Sequence, residues 1–330
     1  MYNYSDNVKE LKNVLEDKAD EIFEYGDSEL REQFEKFFQF CQTHLSEECN
    51  SFNIQPALFY YTTFYSLNAI AAKVQNSYLI GVNMGTMSSL YYLLYAQNNI
   101  FYMSSYLYEA FNPISEALSD DMEYIMFQLS IIFIYYHELA HLIQMSDNSY
   151  IWKLENPTSV ADDDFSVERH ILELDADVNG SYNICLHLIQ YFEKLPHLSQ
   201  TNRNLEKLLA LGTASVFSFF LIFYSDYEEM YYREHSHPHP MIRLSYVVDS
   251  FIKSAENNLP SGVDIDKGEV IRLGFGISEM LFENYPRRDI IHNFSAQFIK
   301  ESSHIKEYVD ELLAISKEMP SLVMNRLAKE

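Results

Sequence analysis

Glycine and proline are scarce, nine of each in 330 residues. Long stretches therefore run without a helix breaker, which argues for a mostly helical chain. Cysteine is scarcer still: Cys41, Cys49 and Cys185 make an odd count with no Cys-x-x-Cys spacing. That excludes a disulfide framework and fits buried thiols in a reduced, cytoplasmic protein. Basic residues are outnumbered, 23 Lys and Arg against 48 Asp and Glu, for a formal charge of −25. A surface of that sign repels phosphate backbones and anionic headgroups, so no nucleic-acid partner is expected. The first residues, Met1-Tyr2-Asn3-Tyr4-Ser5-Asp6, hold neither a basic nor an apolar stretch, and no secretory signal is expected. Long apolar runs are few. Residues 208–224 are uncharged but interrupted by Gly212, Thr213, Ser215 and Ser218, and no cluster of Lys or Arg flanks them. A buried core helix is expected there rather than a membrane span.

What is present is concentrated in three places. Residues 137–141 read His-Glu-Leu-Ala-His and follow the apolar run Ile131-Ile132-Phe133-Ile134-Tyr135-Tyr136. On a helix, His137 and His141 share a face with their Cβ atoms about 6 Å apart. Each can offer a nitrogen to one Zn²⁺ at about 2.0–2.1 Å. Glu138, one step round, can take a proton from a water at such a metal.

A catalytic zinc needs a third protein donor and an open fourth position. Residues 167–178 have helical apolar spacing at Val167, Ile171, Leu174 and Val178. Glu173 and Asp177, four apart, then point the same way. One can bind the metal while the other accepts a hydrogen bond from a ligand histidine. The plainer alternative is a solvated acidic face. Further on, His235-Ser236-His237-Pro238-His239-Pro240-Met241-Ile242-Arg243 puts imidazoles just before a predicted helix. Peptide hydrolysis builds an oxyanion that needs a positioned donor; alone, this stretch reads equally as a surface loop rich in His and Pro.

His137-Glu138-x-x-His141 followed by Glu173-x-x-x-Asp177 resembles the pattern of the gluzincin metallopeptidases, and Glu-Leu-Asp-Ala-Asp is close to their Glu-x-x-Ala-Asp form. His237-Pro238 with Arg243 six residues after the histidine resembles the His-Pro-x-x-x-x-Arg element of the HtpX and CAAX prenyl protease group. The phage-exclusion Lit-type peptidases are a second likeness. The resemblance covers roughly residues 125–250. It implies a zinc endopeptidase with Zn²⁺ as cofactor and a protein or peptide as substrate. His137, His141 and Glu173 would be ligands, Asp177 the partner of a ligand histidine, Glu138 the general base, and His237 and Arg243 residues of the cleft. His239 competes with His237 for the donor role. The alternatives are a latent or non-catalytic zinc-stabilised peptide-binding protein and a membrane-embedded HtpX-like protease.

The expected fold is mainly α (α+β), with a zincin-like core and a small antiparallel sheet ahead of the zinc helix. The expected regions are a helical 1–75, a catalytic 76–250 and a helical 251–330. Residues 6–48 predict one or two charged helices with a break at Gly26-Asp27-Ser28, Ser28 serving as N-cap, and an apolar stripe of Leu30, Phe34, Phe37, Phe38 and Cys41. A buried helix is expected over 53–73, strands at 78–82 and 100–104 around a turn at Gln97-Asn98-Asn99, and either state at 91–95. Helices are expected at 269–284 and 300–317, separated by Pro286-Arg287-Arg288. The acidic run Asp162-Asp163-Asp164 reads as the approach to a helix N-terminus.

Overall fold

A computed structural model describes residues 2–96, 99–146, 165–224, 229–259, 263–283, 289–320 and 322–327. The acidic run at 162–164, the break at 286–288 and the turn residues Gln97 and Asn98 lie outside them. The chain is mostly helical with one three-stranded sheet, a mainly α architecture with a small β component.

Helix α1 (Tyr4–Leu15) and helix α2 (Arg31–Phe52) open the chain, and Leu30, Phe34, Phe37, Phe38 and Cys41 are all buried. Ser28 shapes the turn that enters α2, its Oγ accepting from Leu30 N at 3.2 Å, while Leu30 itself holds the cap position.

Strands β1 (Ala57–Thr62), β2 (Ala69–Val74) and β3 (Ser77–Asn83) form a sheet in the order β1-β3-β2. β2 and β3 pair as an antiparallel hairpin, with Gln75 in the left-handed region at φ 54°. β1 pairs with β3 in parallel, so the sheet is mixed rather than purely antiparallel. Two expectations are corrected here. The helix expected over 53–73 is instead β1 and β2: Phe59-Tyr60-Tyr61-Thr62 is aromatic and β-branched, which suits a pleated surface buried on both sides. The strand expected at 100–104 is a helical turn, described below. The sheet draws strands from both sides of residue 75, and one buried apolar cluster runs from Tyr4 to Val323.

The outer edge of β1 is closed by its neighbours. Phe59 N donates to Gln42 Oε1 and Tyr61 N to Tyr4 Oη, while Phe23 N donates to Tyr61 O and Thr63 N to Glu21 O. Asn7 and Gln42 are buried polar residues for this reason, since an unpaired strand edge in a core is costly. Among the described residues, the other edge of the sheet, β2, pairs with no further strand.

Helix α3 (Met84–Tyr91) runs on into a π-turn, settling the 91–95 ambiguity as helical. Helix α4 (Ile100–Met103) is the corrected 100–104 segment, and helix α5 (Ser105–Leu118) follows at once. Four apolar residues carry no readable period. Tertiary contacts decide instead: Glu123 Oε1 accepts from Phe101 N at 3.2 Å, and Ser104 Oγ accepts from Leu107 N to cap α5.

Helix α6 (Met122–Met145) crosses the core, followed by helices α7 (Val167–Lys194), α8 (Asn202–Tyr224), α9 (Pro240–Asn257), α10 (Lys267–Phe282), α11 (Ile290–Ser316) and α12 (Val323–Leu327). α6 and α8 are long and apolar enough to cross a membrane, yet 83% of the most apolar window of each is buried against the rest of the fold, as in core helices. α6 and α7 approach closely at Gly180, where a Cβ would stand 2.8 Å from Phe133 Cδ2 and 3.1 Å from Phe133 O. Two turns nearer the start of α7, Glu173 reaches the histidines of α6.

Candidate metal centre

The last turns of α6 put His137 and His141 on one face, their Nε2 atoms 3.1 Å apart and their rings at 87°. Glu173, on the second turn of α7, brings Oε1 to 3.3 Å from His141 Nε2 and Oε2 to 3.6 Å from His137 Nε2. Tetrahedral bonds of about 2.0–2.1 Å would hold donors about 3.3 Å apart, so the three are spaced to share one cation. Their chemistry agrees. Two facing imidazole nitrogens can share at most one proton, and Glu173 Oε2 is buried yet accepts no hydrogen bond. These residues fit a metal ion.

Asp177, one turn further along α7, is wholly buried, with Oδ1 2.9 Å from His137 Nδ1. That contact is at hydrogen-bond distance but out of hydrogen-bond alignment. Arg243 donates to the same carboxylate through Nε and Nη2, at 2.8 and 2.7 Å, and Tyr246 Oη donates to Oδ2 at 2.8 Å. Nη2 also lies 3.3 Å from Glu173 Oε2, and the guanidinium sits over the Phe220 ring. Burial opposes ionisation of both carboxyls. Arg243 overcomes it at Asp177, and His237, Arg243 and His141 hold Glu173 well below the usual carboxylate range. Burial likewise opposes charge on His141, but the adjoining Glu173 carboxylate pushes it up to about 9. Glu138 faces the same cleft, and burial raises its carboxyl against the opposing pull of His137 and His141.

The two competing histidines part company. His239 is fully buried and caps α9, its Nδ1 accepting from Met241 N at 3.1 Å, with Pro240 in the first turn. His237 faces the centre, its side chain 61% exposed and Nε2 3.5 Å from Glu173 Oε1. Glu173 favours its charged form, but desolvation at the cleft rim and the neighbouring Arg243, His141 and His137 together lower it below the ordinary histidine range. The loop is pinned by the buried His170, whose Nε2–H donates to His235 O at 2.9 Å while Nδ1 accepts from Tyr308 Oη at 2.8 Å.

With His239 set aside, the seven residues singled out in the sequence thus gather at one place. Six of them, His137, Glu138, His141, Glu173, His237 and Arg243, line a cleft of about 570 Å³, and Asp177 stands behind it. One wall is β2 with the residues leading into it, 66–71; the other is aromatic, from Phe133, Phe219, Phe220, Phe223 and Tyr231. Sequence reasoning missed Gln144, Asp175, Tyr246 and His170. Asp175 lies inside the Glu-Leu-Asp-Ala-Asp motif and Gln144 three residues beyond His141, so spacing could have raised both; nothing local marks Tyr246 or His170. No family model, curated protein or solved structure matches this chain.

Proposed function

We propose that this protein is a zinc-dependent endopeptidase. The reading is carried by one juxtaposition: two helical imidazoles and a carboxylate at metal-sharing distances, with Glu138 beside them in a cleft bordered by an open strand edge. Two nitrogen donors and one oxygen suit Zn²⁺ and are poor for Ca²⁺ or Mg²⁺, which prefer all-oxygen shells. Zn²⁺ held by His137, His141 and Glu173 would supply Lewis acidity, polarising a scissile carbonyl and making water acidic near neutrality.

The chain's own residues do the rest. Glu138, with its raised basicity, accepts the proton of the attacking water and passes it to the leaving amine. His237, on the rim with a free approach from solvent, donates to the oxyanion as it develops, and Arg243 adds positive field from behind. The free edge of β2 can pair with an extended peptide through backbone hydrogen bonds. The aromatic wall opposite would take apolar side chains next to the cut.

Metal analysis of wild type and Glu138→Gln, with cleavage of a denatured proteome read by terminal-peptide mass spectrometry, tests this. Zinc in both proteins, with new termini from the wild type alone, supports the peptidase. Undiminished cleavage by Glu138→Gln rules out the mechanism. Zinc in both without cleavage favours a zinc-stabilised peptide-binding protein.

A further inference from the structure

His141 can bind a metal through Nε2 only when its ring is neutral and the proton sits on Nδ1. At 2.9 Å from Nδ1 lies Oε1 of Gln144, one turn on along α6 and 1% exposed. An amide turned the other way would present an N–H to that nitrogen and select the wrong tautomer. Here it cannot turn. Gln144 Nε2 donates to Leu172 O at 3.1 Å and to Asp175 Oδ2 at 2.8 Å, and a flipped amide would set an oxygen against both acceptors.

Asp175 is fully buried and belongs to a different stretch of structure as well. Its Oδ2 accepts from Val323 N at 2.8 Å and its Oδ1 from Met324 N at 2.9 Å. Those amides open α12, which Asn325 ties back to the end of α11 by donating to Ser316 O and Met319 O. A continuous hydrogen-bonded chain therefore runs from residues 323–325 through Asp175 and Gln144 to His141.

Building on the metal reading above, we infer that Gln144 and Asp175 are positioning residues for His141, and that the docking of α12 is coupled to metal binding. His137 has a carboxylate beside it, Asp177. His141 has an amide whose orientation is set by a second carboxylate, and that carboxylate is held by the C-terminal helix. Coupling of this kind is reciprocal: what tightens His141 on the metal tightens α12 on Asp175, and release of α12 loosens the ligand. Partners of a ligand histidine are worth about 10- to 100-fold in metal affinity.

The test measures Zn²⁺ affinity of metal-free protein by chelator competition, and hydrogen exchange at Val323 and Met324 with and without Zn²⁺. In the wild type, Zn²⁺ should slow exchange at both amides. Gln144→Met, close in volume, should weaken Zn²⁺ about 10- to 100-fold and abolish the response of those amides to the metal. A chain ending at Pro320, which alters no residue of α6 or α7, should also bind Zn²⁺ more weakly, and it guards against a Gln144→Met protein that does not fold. Zn²⁺ affinity within about twofold of wild type in either folded variant, or Zn²⁺-indifferent exchange at Val323 and Met324 in the wild type, overturns the coupling. A wild type that binds no Zn²⁺ overturns the metal reading itself.

Discussion

Asp177 and Arg243 meet through two parallel hydrogen bonds of 2.7 and 2.8 Å, with the carboxylate wholly removed from solvent. Such a pair is worth little more than an apolar contact while intact, because both ions have lost their water. Its importance shows when one partner goes. Arg243→Met should destabilise the fold by about 3–5 kcal/mol, since Asp177 is then left buried with only Tyr246 and His137 near it. Arg243→Lys should recover part of the loss, because a single ammonium cannot reproduce the forked contact. Denaturant unfolding of the metal-free proteins measures both; an Arg243→Met protein as stable as wild type would show that the pair does not hold α7 and α9 together.

Metal uptake should depend steeply on pH. In the metal-free protein the Glu173 carboxylate holds a proton on His141 up to about pH 9. That proton must leave before Nε2 can bind a cation. Zn²⁺ affinity should therefore rise roughly tenfold per pH unit through neutrality and level off above about 9. Calorimetry in buffers of different ionisation enthalpy should show close to one proton released per ion at neutral pH. A flat affinity from acid to mildly alkaline pH contradicts the charged His141–Glu173 pair.

The arrangement behind α6 predicts a second pH effect, of opposite origin. His187 is pressed against Phe40 and Tyr136, with Nε2 3.4 Å from Tyr136 Oη, and burial, reinforced by His44 and Lys194, lowers it from 6.5 to about 4. The unfolded chain then binds a proton that the folded one refuses. The contribution is fully present above about pH 6.5 and is lost as pH falls toward 4. It amounts to about 1–2 kcal/mol once the ring's partial contact with water is allowed for. His187→Gln should flatten stability over that window. Equal acid sensitivity in wild type and His187→Gln would assign the loss to other groups.

The parts of this molecule that were legible in its sequence are those where one helix carries the information. His137 and His141, and Glu173 and Asp177, are each four residues apart, so helical geometry alone aligns them. β1 was not legible, because Leu58-Phe59-Tyr60-Tyr61 is a continuous apolar run without a period, and only the company of β3 and the side chains of α1 and α2 make it a strand. The roles of Gln144 and Asp175 were hidden for a related reason, although both stand in or beside the motifs. Their meaning lies in contacts with residues 28 and 148 positions away or more, which no local pattern encodes.

His237 and His239 carry the last prediction, since spacing could not choose between them and their surroundings can. His239 is enclosed by Tyr224 and Tyr231 and accepts the Met241 amide. His239→Ala should remove a helix cap and open a hole, costing about 2 kcal/mol or more, with Zn²⁺ affinity and turnover per folded molecule little changed. His239→Asn, which keeps a cap acceptor, should lose less. His237 stands at the rim with most of its side chain in water. His237→Ala should leave stability within about 0.5 kcal/mol and keep the metal, while turnover falls about 10²- to 10³-fold, the loss seen when an oxyanion donor is removed. Unfolding curves and turnover on the same pair of variants separate the roles. Lost turnover with unchanged stability in His239→Ala would exchange the two assignments, and full activity in His237→Ala would require the oxyanion donor to come from elsewhere in the cleft.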